Sequence, residues 1–315
     1  MRKALITGIG GFVGGHLTDH LISQKIAVTG FIHPSHHSHN LDNLKKKANL
    51  VECDILNKQL IAKKLSNSFD CIFHLAAFSS PSKSFENSKE TLENNILGEL
   101  NLLEALKKIN SKAKILIVGS SDEYGDINNN RLVNEEFPLN PSSPYAVSKV
   151  AQDLLGWQYF LNYGLQIVRV RPFNHIGPGQ STAFVVSAFA SRIAQLEKKG
   201  GGIMRVGNLD AYRDFTDVRD MVRAYLLALE KGKLGEVYNI GLGKLYKISD
   251  IFKKLISLSK VKVKEKQDKT LYRSSDTNKI TCDYSKFKKK TNWKPSIPIE
   301  KTLSDTINYE RERLN

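Results

Sequence analysis

Cysteine is scarce in this chain: Cys53, Cys71 and Cys282 are the only three in 315 residues, and no two form a CxxC pair. That excludes a disulfide framework and reads as reduced thiols in a cytosolic protein. Long apolar runs are missing too, none approaching the roughly 18–20 residues of a membrane span. The opening Met1-Arg2-Lys3-Ala4-Leu5-Ile6-Thr7-Gly8 puts a glycine where a secretory leader needs an apolar core, so no signal peptide is expected. Internal repeats, low-complexity tracts and a linker between independent domains are absent as well. With 41% apolar and 25% charged residues the composition is that of an ordinary soluble globular protein.

Acidic charge is the next deficit, because lysine and arginine give a net charge of +15. The excess is uneven. Residues 244–315 carry 19 lysines and arginines against 9 acids, whereas residues 1–243 carry 28 against 23. Aromatic residues are not interleaved with this basic region in an RNA-reading pattern, which argues against a nucleic-acid partner. The lysines read as a solvated face; the alternative reading is that their positive potential draws in an anionic ligand.

Apolar runs at Lys3–Ile6, Lys25–Ile32, Ala48–Glu52, Cys71–Leu75, Lys114–Val118 and Leu165–Val170 predict buried parallel strands. Helical patterns at Val13–Ser23, Leu60–Leu65, Thr91–Lys108 and Tyr145–Asn162 alternate with them. The expected fold is therefore α/β, a doubly wound parallel Rossmann sheet. After Arg171-Pro172-Phe173 the rhythm changes, with helices expected at Thr182–Lys199, Val218–Lys231 and Ile248–Ser259 and a strand at Glu236–Ile240. The expected division is a dinucleotide-binding part, 1–172 and about 210–243, and a smaller, packed-on α+β substrate domain, about 173–209 and 244–315, with a cleft between them.

Two short runs carry chemistry. Thr7-Gly8-Ile9-Gly10-Gly11-Phe12-Val13-Gly14 places glycines at i, i+3 and i+6 between a strand and a helix. Backbone N–H groups at such a helix N-terminus meet a dinucleotide pyrophosphate. Gly8 is expected to make the turn, Gly11 to let the pyrophosphate approach, and Gly14 to let the helix pack on the sheet. Tyr145-Ala146-Val147-Ser148-Lys149 sets a phenol and an ammonium on one helical face. Such a pair passes a proton while a hydride moves. Pro138, Pro141 and Pro144 stiffen the entry to this helix, and Ser142 or Ser143 can cap it.

The second strand ends Thr29-Gly30-Phe31-Ile32-His33, with no acid before Asp42 to hold the ribose 2′-OH of NAD. An acid would repel a 2′-phosphate, so NADP(H) is favoured and NAD(H) stays open. No arginine stands there; His33 and Lys45, Lys46 and Lys47 supply donors. His33, His36, His37 and His39 crowd a Pro/Ser/Asn-rich loop that lacks the rigid mixed ligand set of a zinc site, so no metal is expected.

These motifs resemble the extended short-chain dehydrogenase/reductases of the nucleotide-sugar epimerase/dehydratase family. The resemblance spans nearly the whole chain: the glycine loop, Asp54-Ile55, His74-Leu75-Ala76-Ala77, Asn95-Ile96-Leu97-Gly98, Ser120 to Gly125, Ser143 to Lys149, and Arg171-Pro172-Phe173-Asn174. Within the family, Phe173 to Gln180 and Val206 to Asp220 look most like the branch that reduces GDP-4-dehydro-6-deoxy-D-mannose. The resemblance implies Tyr145 as the acid that protonates the sugar C4 oxygen. It implies Lys149 as the group that tunes Tyr145 and holds the nicotinamide ribose. Bringing a phenol from about 10 toward neutrality takes about 4 kcal/mol, ascribed to Lys149 and the positive oxidised nicotinamide. Ser120 matches the catalytic Ser/Thr, with Ser121 next to it as the alternative. Cofactor contacts are implied for Gly8, Gly11, Phe12, Val13, His33, Asp54, Ile55, Leu75, Ala76, Ala77 and Pro172, and diphosphate contacts for Asn174 and Arg213. The family's late Arg-Pro-x-Asp segment reads Tyr272-Arg273-Ser274-Ser275-Asp276 here, which keeps Arg273 but loses the proline. The implied partner is a GDP-sugar, and the implied assembly a homodimer through Thr91–Lys108 and Tyr145–Asn162. A 4,6-dehydratase or epimerase stays open, with Asp122 or Glu123 as its extra acid/base. So does a non-catalytic binding protein of the same fold.

Overall fold

A computed structural model describes residues 1–35, 41–127, 132–271 and 279–314. Its core is a seven-stranded parallel sheet: β1 (Lys3–Thr7), β2 (Ala27–Ile32), β3 (Asn49–Glu52), β4 (Cys71–His74), β5 (Lys114–Val118), β6 (Gln166–Pro172) and β7 (Val237–Ile240), in the order β7-β6-β5-β4-β1-β2-β3. The order reverses between β1 and β4, the switch point of a doubly wound sheet, where a crevice opens beyond the strand C-termini. β4 is buried throughout and β5 is buried apart from its two end residues, as helices on both faces of the sheet require.

The two faces are filled separately. One core gathers Ile6, Leu17, Phe73, Val170, Met221 and Tyr225; the other gathers Leu5, Ile72, Leu103, Ile115 and Ile167. Side chains alternate along a strand, which is what splits neighbours such as Leu5 and Ile6 between faces. A third core, built from Val186, Ile193, Phe215, Ile251, Phe252 and Leu303, lies in the second half of the chain. Phe287 and Trp293, though late in the sequence, pack on the first core, and Trp293 Nε1 donates to the Asp220 carbonyl at 3.2 Å.

The expected strands and helices form within a few residues of their predicted limits. The exception is Thr91–Lys108, which is interrupted by a π-helical turn at Glu93–Leu97. The buried Asn95 side chain accepts from Phe78 N at 2.6 Å and donates to Ser148 Oγ at 2.8 Å. Those contacts require Asn95 to face inward, and the wider turn accommodates it. Among the described residues no helix is long and apolar enough to cross a membrane.

The glycine loop behaves as its spacing implies. Gly8 has φ +72°, and a Cβ there would sit 2.8 Å from Ala76 N. A Cβ on Gly14 would lie 2.6 Å from the carbonyl oxygens of Gly8 and Ile9, so only glycine lets the helix start this close to β1. Gly14→Ala should therefore destabilise the fold by about 1–3 kcal/mol, read as a lower urea midpoint with an unchanged slope.

Candidate active site

Three elements bring the predicted residues to the crevice. β5 delivers the turn Ser121–Tyr124, whose N-cap is Ser120; the Pro144–Tyr163 helix delivers Tyr145 and Lys149; β6 ends in Pro172. The helix starts as its sequence predicts, with Pro144 in the first turn and Ser143 Oγ accepting from Ala146 N at 3.1 Å. Ser120 lies close enough to the Tyr145 hydroxyl to draw its phenol down, which favours it over Ser121 as the hydroxyl beside the phenol.

Tyr145 departs from expectation. Burial, followed by the negative charge of Asp122, pushes its phenol above the usual range, against the Ser120 hydrogen bond. The expected downward pull of Lys149 does not dominate, because Nζ stands 5.9 Å from the ring centroid and spends its hydrogens elsewhere. It donates to Val118 O at 2.8 Å and Gln152 Oε1 at 2.9 Å. Burial also brings Lys149 down to about 8.

Beneath the pair lies a buried polar floor. His74 Nδ1 and Thr7 Oγ1 are 2.8 Å apart, and His74 Nε2 lies 3.3 Å from Gln152 Nε2 and 4.0 Å from Glu99 Oε2. Burial, then the Lys149 charge, takes His74 down to about 3, so the ring is neutral. Sequence reading missed Gln152 and Glu99. Gln152 follows Lys149 by one helical turn and was detectable on that ground; Glu99 carries no local signal.

A second network fixes the Ser120 turn. Glu123 Oε1 accepts from Ser120 N at 2.7 Å, and its Oε2 stands 2.9 Å from Arg171 Nε. Arg171 also pairs with Asp153 and donates to the Tyr124 hydroxyl at 3.0 Å, which in turn donates to Asn239 Oδ1 at 2.7 Å. Glu123 is thus held by Arg171, while burial, followed by the charge of Asp153, raises its carboxyl to about 8. Asp122 is only partly covered, lies in the field of Arg213, and has its carboxyl raised by burial.

The remaining predicted residues are placed as follows. Leu75, Ala76 and Ala77 follow β4, with Ala76 N donating to Thr7 Oγ1 at 3.2 Å. Asp54 accepts from Leu56 N at 2.8 Å, and Ile55 is buried beside it. His33 is exposed and its Nδ1 accepts from Ser35 N at 3.2 Å. Asn174 is exposed, with its carbonyl bonded by Thr216 N at 2.9 Å; Arg213 is half-buried and donates to Tyr212 O at 2.7 Å. Arg273, and His36, His37 and His39, lie outside the described residues. Among the described residues no cluster of three or more His, Cys, Asp or Glu side chains has the spacing of a metal site.

The helix Phe12–Ser23 has Gly11 as N-cap and no side-chain cap, and its first turn carries no acid. Its leading amides are therefore left for an anion, and Phe12 and Val13 flank them. That arrangement fits a dinucleotide pyrophosphate.

Comparison with known proteins gives the same frame. A family model described as GDP-mannose 4,6 dehydratase matches residues 5–306. The chain is 33% identical over 305 residues to GDP-6-deoxy-D-mannose reductase of Pseudomonas aeruginosa, an alignment covering 96% of this chain and 95% of that one. The solved structure of RMD from Pseudomonas aeruginosa complexed with NADPH superposes with a TM-score of 0.85 at 30% identity, over 99% of this chain and 100% of that one. DesIV, a dTDP-glucose 4,6-dehydratase from Streptomyces venezuelae solved with NAD, superposes with a TM-score of 0.87 at 25% identity, over 99% and 97%.

Arg171→Met strands the buried Glu123 carboxylate and leaves Asp153 to Arg169 alone. It should cost about 3–5 kcal/mol of stability, measured by equilibrium unfolding in urea, and should cost more than Arg219→Met, because the Arg219 side chain is itself partly exposed and one of its two partners, Asp305, lies nearer solvent.

Proposed function

The chain belongs to the GDP-mannose 4,6 dehydratase family, whose members are NAD(P)-dependent nucleotide-sugar enzymes, and from that premise we propose that it reduces the C4 keto group of a GDP-4-keto-6-deoxy sugar. The reaction is that of a GDP-4-dehydro-6-deoxy-D-mannose reductase, giving GDP-D-rhamnose. The observation that carries this reading is the buried Ser120–Tyr145 pair. The phenol is protonated throughout the neutral range and so has a proton to give; burial raises it above its ordinary value, and Lys149 with the bound cofactor is assigned the task of drawing it back down for the transfer. The 33% identity to a GDP-6-deoxy-D-mannose reductase over nearly the full length supports the substrate.

When bound, the reduced nicotinamide supplies the hydride that reaches C4. Tyr145 gives its hydroxyl proton to the C4 oxygen, and Ser120 donates a hydrogen bond to that oxygen and orients it. Lys149 holds the nicotinamide ribose; Gly8, Gly11, Phe12 and Val13 hold the pyrophosphate; Asp54, Ile55, Leu75, Ala76, Ala77 and Pro172 line the cofactor. Asn174 and Arg213 hold the sugar nucleotide's diphosphate, for which a guanidinium fork is suited. Arg273 is assigned the same contact on its motif alone. NADP(H) is preferred to NAD(H) because β2 ends in Ile32-His33 without a carboxylate to repel a 2′-phosphate.

The third core supports a sugar-binding part formed by about 173–209 and 244–315, with Phe287 and Trp293 anchoring it to the dinucleotide-binding part. A homodimer is supported by a stripe of exposed apolar residues on the Pro144–Tyr163 helix, Val147, Leu154, Trp157 and Leu161, beside exposed Leu97. Three buried, unpaired thiols suit a cytoplasmic enzyme.

Asp122 supports a second reading. A 4,6-dehydratase needs another acid/base to remove water across C5–C6, and Asp122 lies close enough to act on Tyr145 through its charge. Loss of reduced-nicotinamide absorbance on adding GDP-4-keto-6-deoxymannose separates the two. A reductase consumes NADPH, and faster than NADH; a dehydratase turns GDP-mannose over with no net consumption, and that result would replace the first reading by the second.

Tyr145→Phe should keep NADPH affinity and reduce turnover by roughly 10²–10⁴-fold; wild-type turnover in that variant removes Tyr145 as the acid. Arg213→Ala should raise KM for the sugar nucleotide by about 10–150-fold with a smaller change in kcat, by steady-state kinetics.

A further inference from the structure

Glu99 stands out among the buried groups. It is fully buried in the first turn of the Gly98–Lys108 helix, and among the described residues neither carboxyl oxygen finds an aligned hydrogen-bond partner. Unpaired buried carboxyls are rare, because the group gives up its hydration and receives nothing in return. Its neighbours explain its position. The Gln152 amide lies beside it, and the other end of that amide accepts from Lys149 Nζ at 2.9 Å. His74 Nε2, 4.0 Å from Glu99 Oε2, belongs to a neutral ring and offers no compensating charge.

We propose that Glu99 is the charge partner of Lys149, a positioning residue that acts across the Gln152 amide and fixes the pH range in which the crevice lysine is positive. The inference rests on the role given above to Lys149 in the cofactor site. Every charged or titratable group around the lysine enters the balance. Tyr145 and Asp153 lie on its own helix, Asp122 and Glu123 on the Ser120 turn, and His74 on β4. Arg169 and Arg171 lie on β6, and Glu99 on the Gly98–Lys108 helix. Glu123 and Asp153 face the two arginines, Glu123 adding a smaller upward pull on Lys149 than Glu99 does, and His74 is uncharged. Glu99 is the largest influence holding the Lys149 proton on, and among the described residues it meets no arginine as Glu123 meets Arg171.

The two groups oppose burial together. Burial lowers Lys149 to about 8 and raises Glu99 well above the ordinary carboxylate range, and each is the largest charge opposing that shift in the other. Without the carboxyl, Lys149 loses its proton at lower pH. An affinity that depends on the ammonium then fades earlier as pH rises.

Two titrations decide the matter. In the first, the infrared carbonyl band of protonated Glu99 is followed against pH in the protein without added nucleotide, identified by its loss in Glu99→Gln. Lys149→Met should move its disappearance to higher pH by at least about one unit; an unmoved midpoint overturns the proposal. In the second, NADPH affinity is measured against pH. Glu99→Gln should bind as tightly as wild type at about pH 6 and lose affinity about one pH unit earlier on the alkaline side. Glu99→Asp should recover much of the difference, and Lys149→Met should be flat. Coincident wild-type and Glu99→Gln curves overturn the proposal, since a merely structural Glu99 leaves the pH dependence alone. If wild type binds no nicotinamide nucleotide, the functional reading fails while the infrared titration still decides Glu99.

Discussion

Arg171 carries a guanidinium into the interior at the end of β6, and the crevice is arranged around its neutralisation. Glu123 meets it from the Ser120 turn, Asp153 from the helix that bears Tyr145 and Lys149, and Tyr124 from the end of the same turn. A buried charge without partners is costly, so these three elements cannot drift apart independently. The same Glu123 carboxylate accepts from Ser120 N, which couples the ion pair to the hydroxyl beside the phenol. The relative position of Ser120 and Tyr145 is thus a consequence of charge compensation a layer below them.

The polar floor has a different logic. Thr7, His74, Gln152 and Glu99 come from β1, β4 and two helices, and they meet beneath Lys149. Burial drives His74 neutral and leaves the lysine as the local positive centre. The two networks meet at Lys149, which lies in the field of both Glu99 and Glu123. A single ammonium therefore reports on the burial of acids from separate parts of the fold.

Much was legible from local pattern. The glycine spacing announced a strand-to-helix turn, and the clash that a Cβ at Gly14 would make with the Gly8 and Ile9 carbonyls is its physical basis. Ser143-Pro144 announced the helix start, because a hydroxyl cap and a proline in the first turn are local chemistry. The interruption at Glu93–Leu97 was not legible, since it answers to Asn95 reaching Phe78 and Ser148 across the fold. Nor was the state of Tyr145: the YxxxK spacing places Lys149 on its face, but burial and Asp122 outweigh that neighbour.

By itself the sequence determined the alternation of strand and helix, the glycine turn after β1 and the placing of Tyr145 and Lys149 on one helical face, because periodicity, capping and glycine geometry act over a few residues; Ser120 was named by family resemblance alone. Tertiary structure decided which acids are spent and which remain available. Glu123 and Asp122 are adjacent in the chain, yet one is consumed by Arg171, far along the sequence, while the other lies toward the crevice. Glu99 reads as an ordinary helix glutamate until packing strips its water and sets it behind Lys149. Charge compensation and desolvation depend on what surrounds a group in space, and no local pattern encodes them.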